Sequence, residues 1–147
     1  MQSINVILDH KSLSVDILFL KKFAARLLAH EGIKNRGVNI ILSSNGLLKR
    51  LNNRFRKKDK PTDVLSFEFH ETGFLGEIYI SLDKAKTQAR EYGASFEDEV
   101  KRLLTHGLLH LLGHTHYRKA ERIKMEKKEK VFLGSSPKPN NKQGSSF

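Results

Sequence analysis

His106 and His110 stand four residues apart. On a helix, residues i and i+4 lie one above the other on one face. Two imidazoles so placed can share one Zn²⁺ at Zn–N distances of roughly 2.0–2.1 Å. Gly113 follows, and glycine readily takes the positive φ that ends a helix. His116, just past that turn, is placed to fold back as a third ligand. Three protein ligands leave one position of a tetrahedral zinc open, which is the arrangement of a catalytic rather than a structural site. The chain contains no cysteine, so a metal site must be built from His, Asp or Glu.

The spacing H-x-x-x-H-x-x-G-x-x-H is also that of one class of zinc peptidases. In those enzymes the residue after the first histidine is a glutamate that acts as general base. Gly107 occupies that place here, and glycine cannot take a proton, so peptidase chemistry of that kind is not supported. A phosphodiester needs less help: a metal polarises the phosphoryl oxygen and a guanidinium neutralises the developing charge. Arg54 and Arg56 supply candidate guanidinium groups. The formal net charge of +11 over 147 residues points the same way, because so basic a small protein meets an anionic partner, nucleic acid by default. Lys57, Lys58 and Lys60, in a loop closed by Pro61, read either as a phosphate-binding edge or as a solvated connection.

Stepwise periodicity supplies the elements that must hold these residues. Strands are expected at residues 3–9, 38–42, 62–69 and 76–81, from β-branched content and alternation. In the third, Val64, Ser66 and Glu68 alternate with Leu65, Phe67 and Phe69, so one face is strongly apolar. The last two strands are close enough in sequence to pair antiparallel. Helices are expected at residues 15–30, after Ser44, from Ser81 or Asp83 to Tyr92, from Ser95 through the histidines, and at residues 117–132. The helix after Ser44 carries Leu47, Leu48, Leu51 and Phe55 as its apolar positions. Phe96, Val100, Leu103, Leu104, Leu108 and Leu111 form the buried stripe of the histidine helix, with His106 and His110 on its border. Ile123, Met125 and Val131 are the expected inward residues of the last helix. His10 and His30 read as surface residues. The order β-α-β-α-β-β-α-α-α does not alternate strictly, which predicts an α+β fold with a four-stranded mixed sheet in one domain.

Ser, Pro, Asn, Lys, Gln and Gly dominate residues 134–147, a composition that cannot bury enough apolar area to order itself. The expected division is a folded domain over 1–133 and a disordered polar tail. No run approaches the ~18 apolar residues of a membrane span, and the N-terminus has neither the charged region nor the apolar stretch of a signal peptide. A cytoplasmic protein with no membrane partner is the simplest expectation.

Three stretches, taken together, resemble the YbeY family of metal-dependent, single-strand-specific endoribonucleases. The first is His106-Gly107-Leu108-Leu109-His110-Leu111-Leu112-Gly113-His114-Thr115-His116. The second carries Asn52, Phe55-Arg56, Asp59 and Pro61-Thr62-Asp63-Val64-Leu65-Ser66-Phe67. The third is Leu75-Gly76-Glu77-Ile78. The resemblance implies one zinc ion on His106, His110 and His116, and a functional arginine at Arg56. It implies action on single-stranded or ribosomal RNA, in maturation of the 16S rRNA 3′ end and in ribosome quality control, with ribosomal small-subunit proteins as further partners. Arg54 falls off the family position and reads as an RNA-backbone contact or a surface charge, beside Lys57, Lys58 and Lys60. His114 stands where the family often has an aromatic residue, and is a candidate proton shuttle. Thr115 replaces the aspartate that commonly precedes the last histidine.

Two other readings use the same residues. A non-catalytic ribosome-assembly factor would need the metal only for its fold. Another metallohydrolase, a peptidase or small-molecule esterase, would share the ligands, and Gly107 argues against the peptidase version.

Overall fold

Each expected strand and helix forms, in the expected order. The computed structural model describes residues 3–58, 62–113 and 119–134. Its elements are β1 (Ile4–Leu8), α1 (Ile17–His30), β2 (Gly37–Ser43), α2 (Asn45–Arg56), β3 (Val64–Glu71), β4 (Phe74–Ser81), α3 (Leu82–Tyr92), α4 (Phe96–Leu111) and α5 (Lys119–Leu133). The fold is α+β, with one four-stranded sheet in the order β1-β2-β4-β3. β1 and β4 run parallel to β2, and β3 closes the sheet antiparallel to β4.

Capping residues set where the helices begin. The Asp16 carboxylate accepts from the Phe19 amide at 3.0 Å and starts α1. Ser44, Ser81 and Ser95 do the same for α2, α3 and α4, each satisfying an amide that the first turn leaves without an intrahelical partner. Gly93, at φ +68°, ends α3 in the left-handed region that glycine enters cheaply.

Alternation then sorts the sheet into two faces. Ile4, Val38, Ile40, Leu42, Val64, Ile78 and Ile80 meet Leu20, Phe23, Leu27 and Leu28 of α1 and Val100, Leu103, Leu104 and Leu108 of α4 in one buried core. The more apolar set of β3 faces the other way. Phe67 stacks edge-on against Phe55 of α2 at 5.4 Å and against Tyr79 at 5.7 Å. Ser66, from the less apolar set, is turned toward α4, where its hydroxyl has a use.

Two expectations on helix faces and one on a loop histidine need correction. In α2 the inward residues are Leu48 and Asn52, while Phe55 remains mostly exposed and shields the sheet edge-on. In α5, Met125 is 1% exposed and Glu129 7%, whereas Ile123 and Val131 are 43% and 62% exposed. The buried face of that helix is set by an i, i+4 pair of which one member is an acid, so apolarity alone points to the wrong stripe. His10 is held rather than merely superficial, since its Nε2 lies 2.9 Å from Asp83 Oδ1 and its Nδ1 accepts from the Leu13 amide.

Candidate metal centre

Helix α4 carries the site, and its start is secured well before the histidines. The Ser95 hydroxyl accepts from the Asp98 amide at 3.0 Å. Glu97, Asp98 and Glu99 crowd the first turn, where negative charge suits the helix dipole. The helix runs out at Leu112, and Gly113 takes φ +95°. His106 and His110 lie one turn apart between these ends, half-buried on the border of the apolar stripe, as their spacing requires.

Gly107, between them, has a role that spacing does not disclose. A Cβ there would lie 2.8 Å from Ile78 Cγ2, 3.2 Å from Ser66 Oγ and 3.3 Å from Val64 Cγ2. The helix backbone rests directly on β3 and β4, and the Ser66 hydroxyl donates to the Gly107 carbonyl at 3.0 Å. This close approach fixes the height of the two imidazoles above the sheet.

The last helix completes one side. Nδ1 of His106 lies 2.6 Å from Oε2 of Glu129. Three contacts dock α5 where it can deliver that carboxylate. Met125 enters the core, Lys128 Nζ pairs with Glu31 Oε2 at 3.0 Å, and the Phe132 ring meets His30 edge-on at 5.1 Å.

Below the histidines, buried polar side chains form a connected group. Arg102 forks onto Glu99, with Nε donating to Oε1 at 3.0 Å and Nη2 to Oε2 at 2.7 Å. Gln88 Nε2 donates to Glu99 Oε2 at 2.8 Å. Asp63 is almost wholly buried and accepts from the Val64 amide. Burial pushes its carboxyl above the ordinary aspartate range, against the pull of Arg102, of His106 and of its hydrogen bonds. Asn52, Thr62, Asp63 and Ser66, all from the second sequence stretch, are buried polar residues. The family resemblance names all four, but residue type and spacing assign none of them to the site. Their signal was a run of polar residues entering an apolar strand, which reads equally well as a solvated loop.

The basic residues divide. Arg56 is the last residue of α2 and half-buried, and Lys57 caps the helix at φ +57°. Lys57 and Lys58 are exposed. Arg54 lies over the Phe55 ring at 5.3 Å from its centroid, on the outer side of α2. Beside the end of α4, a cleft of about 530 Å³ is lined by Leu111, Leu112 and Gly113 together with Glu31, Glu68, Glu71 and Arg36. His114, Thr115, His116, Lys60 and residues 135–147 lie outside the described residues. Among the described residues no group of three metal-ligating side chains forms.

The donor set is the test of whether zinc suits this place. Two neutral imidazoles one turn apart are borderline-soft nitrogen donors of the kind zinc takes. Both Nε2 atoms are buried, and the other nitrogen of His106 is already engaged by a carboxylate, the usual outer partner of a metal-ligating histidine. These residues fit a zinc ion.

A histidine pair on a helix laid over a mixed α+β sheet is compatible with a hydrolase. Comparison with known proteins narrows that class. The model of the family described as Endoribonuclease YbeY matches residues 7–136, and the chain belongs to that family. Endoribonuclease YbeY of Aquifex aeolicus is 44% identical over 109 residues, covering 71% of this chain and 73% of that protein. The protein of the same name from Persephonella marina is 39% identical over 139 residues, covering 87% and 91%. The solution structure of TM1509 from Thermotoga maritima superposes with a TM-score of 0.60 at 32% identity, covering 88% of this chain and 89% of that one.

Proposed function

We propose that this chain is a zinc-dependent endoribonuclease that cuts single-stranded RNA. Its proposed setting is the cytoplasm, in maturation of the 16S rRNA 3′ end and in ribosome quality control, where small-subunit proteins would be neighbours. The observation that supports this best is the pair His106 and His110, one turn apart, in a chain whose family is named for endoribonuclease activity. His106, His110 and His116 would hold the ion. A bound zinc supplies Lewis-acid polarisation of a phosphoryl group at neutral pH.

The chain's own residues would do the rest. Arg56 neutralises charge on the phosphoryl oxygens, as a planar guanidinium does well. Lys57 and Lys58, with Lys60, draw in the backbone and release its counterions. The cleft beside Gly113 is a poor route for RNA, because Glu68 and Glu71 line it and would repel phosphate. The basic end of α2 is the better approach: its last turn holds Arg54 and Arg56, and α2 contains no acid. His114 is proposed to shuttle a proton, since imidazole titrates near neutrality. Among the described residues no helix is long and apolar enough to cross a membrane.

The test is cleavage of a single-stranded rRNA fragment by the full chain, with and without chelator. Loss of cutting on chelation, its return with zinc, and loss in His110→Ala are expected. Equal cleavage by His110→Ala would overturn the reading. Complementation of a deletion strain by a folded His106→Ala/His110→Ala variant would instead favour a non-catalytic assembly factor.

A further inference from the structure

Helix α5 is mostly charged, and charges on such a helix belong in water. Glu129 departs from that rule. It is buried, and burying a carboxylate is costly unless a partner compensates it. Its Oε2 lies 2.6 Å from Nδ1 of His106, a residue 23 positions earlier on another helix. At that separation between a nitrogen and a carboxylate oxygen, a proton lies between them. With Glu129 ionised, its carboxylate can only accept, and the imidazole nitrogen is then the donor. A neutral imidazole that carries its proton on Nδ1 presents its lone pair on Nε2.

The docking of α5 is consistent with a helix whose placement matters. Met125, one turn before Glu129, is in the core. Lys128, adjacent in sequence, is tied to Glu31 of the α1 C-terminus. These contacts bring Glu129 to one particular nitrogen. Arg102 and Asp63 also act electrostatically in this region, and Glu129 makes a hydrogen-bonding contact with Nδ1.

We propose that Glu129 is a positioning residue: it holds His106 in the Nδ1–H tautomer and aims Nε2 at the metal position. The tautomer half stands on the observed contact and on an ionised Glu129, and the metal half rests on the zinc reading above.

The two halves are tested separately on the full-length chain. With metal removed, long-range ¹H–¹⁵N correlation spectra of ¹⁵N-histidine protein, at a pH above the histidine range, read the His106 tautomer directly. The wild type should show Nδ1–H. Glu129→Gln keeps an acceptor oxygen and should retain that tautomer, while Glu129→Ala should lose the preference. Zinc titration should then show a dissociation constant raised about 10- to 100-fold in Glu129→Ala, with a smaller rise in Glu129→Gln. A wild-type His106 protonated on Nε2 would overturn the proposal. So would a folded Glu129→Ala that binds zinc as tightly as the wild type. If Glu129→Ala does not fold, the wild-type tautomer and the Glu129→Gln affinity still decide. A wild type that shows Nδ1–H but binds no zinc would overturn the metal half and the zinc reading together.

Discussion

The Ser66 hydroxyl donates to the main-chain carbonyl of Gly107 at 3.0 Å, joining the edge strand β3 to the middle of α4 at the residue between the two histidines. No side chain can enter here. A Cβ on Gly107 would stand 2.8 Å from Ile78 Cγ2, and Ile78 is fully buried and stiff at χ1. The position that holds a catalytic glutamate in zinc peptidases is therefore a packing contact in this fold. The same residue that offers no base also seats the two histidines.

Gly107→Ala should destabilise the protein. In an exposed helix interior this change stabilises by up to ~1 kcal/mol. Here overpacking against Ile78 and Val64 should reverse the sign, at about 1–3 kcal/mol. Urea unfolding followed by circular dichroism measures it, and a raised midpoint would contradict the close contact. Gly107→Glu, which restores the peptidase sequence, should fail to fold rather than gain peptidase activity.

Arg102 and Glu99 should be far more sensitive singly than together. Arg102→Ala leaves Glu99, which is almost wholly buried, with Gln88 but no opposing guanidinium. Loss of one partner of a buried ion pair costs about 3–5 kcal/mol, whereas replacing both by apolar groups is often near neutral. Arg102→Met combined with Glu99→Leu should therefore recover much of the stability lost in Arg102→Ala. Chemical denaturation of the single and double variants gives the comparison. A double variant less stable than either single one would show that the pair is not the unit.

Asp83 should govern part of the acid limb of stability. Burial pushes its carboxyl up, but the Asn45 amide, the His10 hydrogen bond and nearby positive charge outweigh that and hold it below the ordinary aspartate range. A lowered folded-state pKa means stability that is fully present above the ordinary value, about 3.9. That stability is lost as pH falls through the lowered folded value. Asp83→Asn should thus be less stable than the wild type at neutral pH, with the gap closing in strong acid. Asp63 has the opposite sign. Its raised carboxyl costs stability as pH rises from the ordinary value through its folded one.

Local rules made the elements legible: Asp16, Ser44, Ser81 and Ser95 all cap where short polar side chains precede apolar periodicity. The pair His106 and His110 was legible because i, i+4 spacing is geometric. Glu129 was not, since its partner lies 23 residues away and an acid among lysines looks solvated. Asn52 and Asp63 escaped for a related reason, because burial of a polar side chain depends on partners from other elements. The two faces of β3 follow the same logic. Its phenylalanines look like core, yet Ser66 is the residue turned toward α4, because the sheet must present a donor and little bulk to Gly107.

Lys57 and Lys58 separate the proposed RNA contact from general basicity. Both are exposed where α2 ends, next to Arg56. Backbone contacts by lysine release counterions, so log K falls with log salt at a slope of about −0.7 for each single-strand phosphate neutralised. Lys57→Ala/Lys58→Ala should therefore make the slope shallower by about 1.4 if both engage phosphate. Fluorescence anisotropy with a single-stranded RNA oligomer over a salt series measures the slope without requiring cleavage. Lys124→Ala/Lys127→Ala, which removes the same charge from α5, should leave the slope nearly unchanged. Equal slope changes in the two variants would mean that RNA reads the overall charge of the protein and not the end of α2.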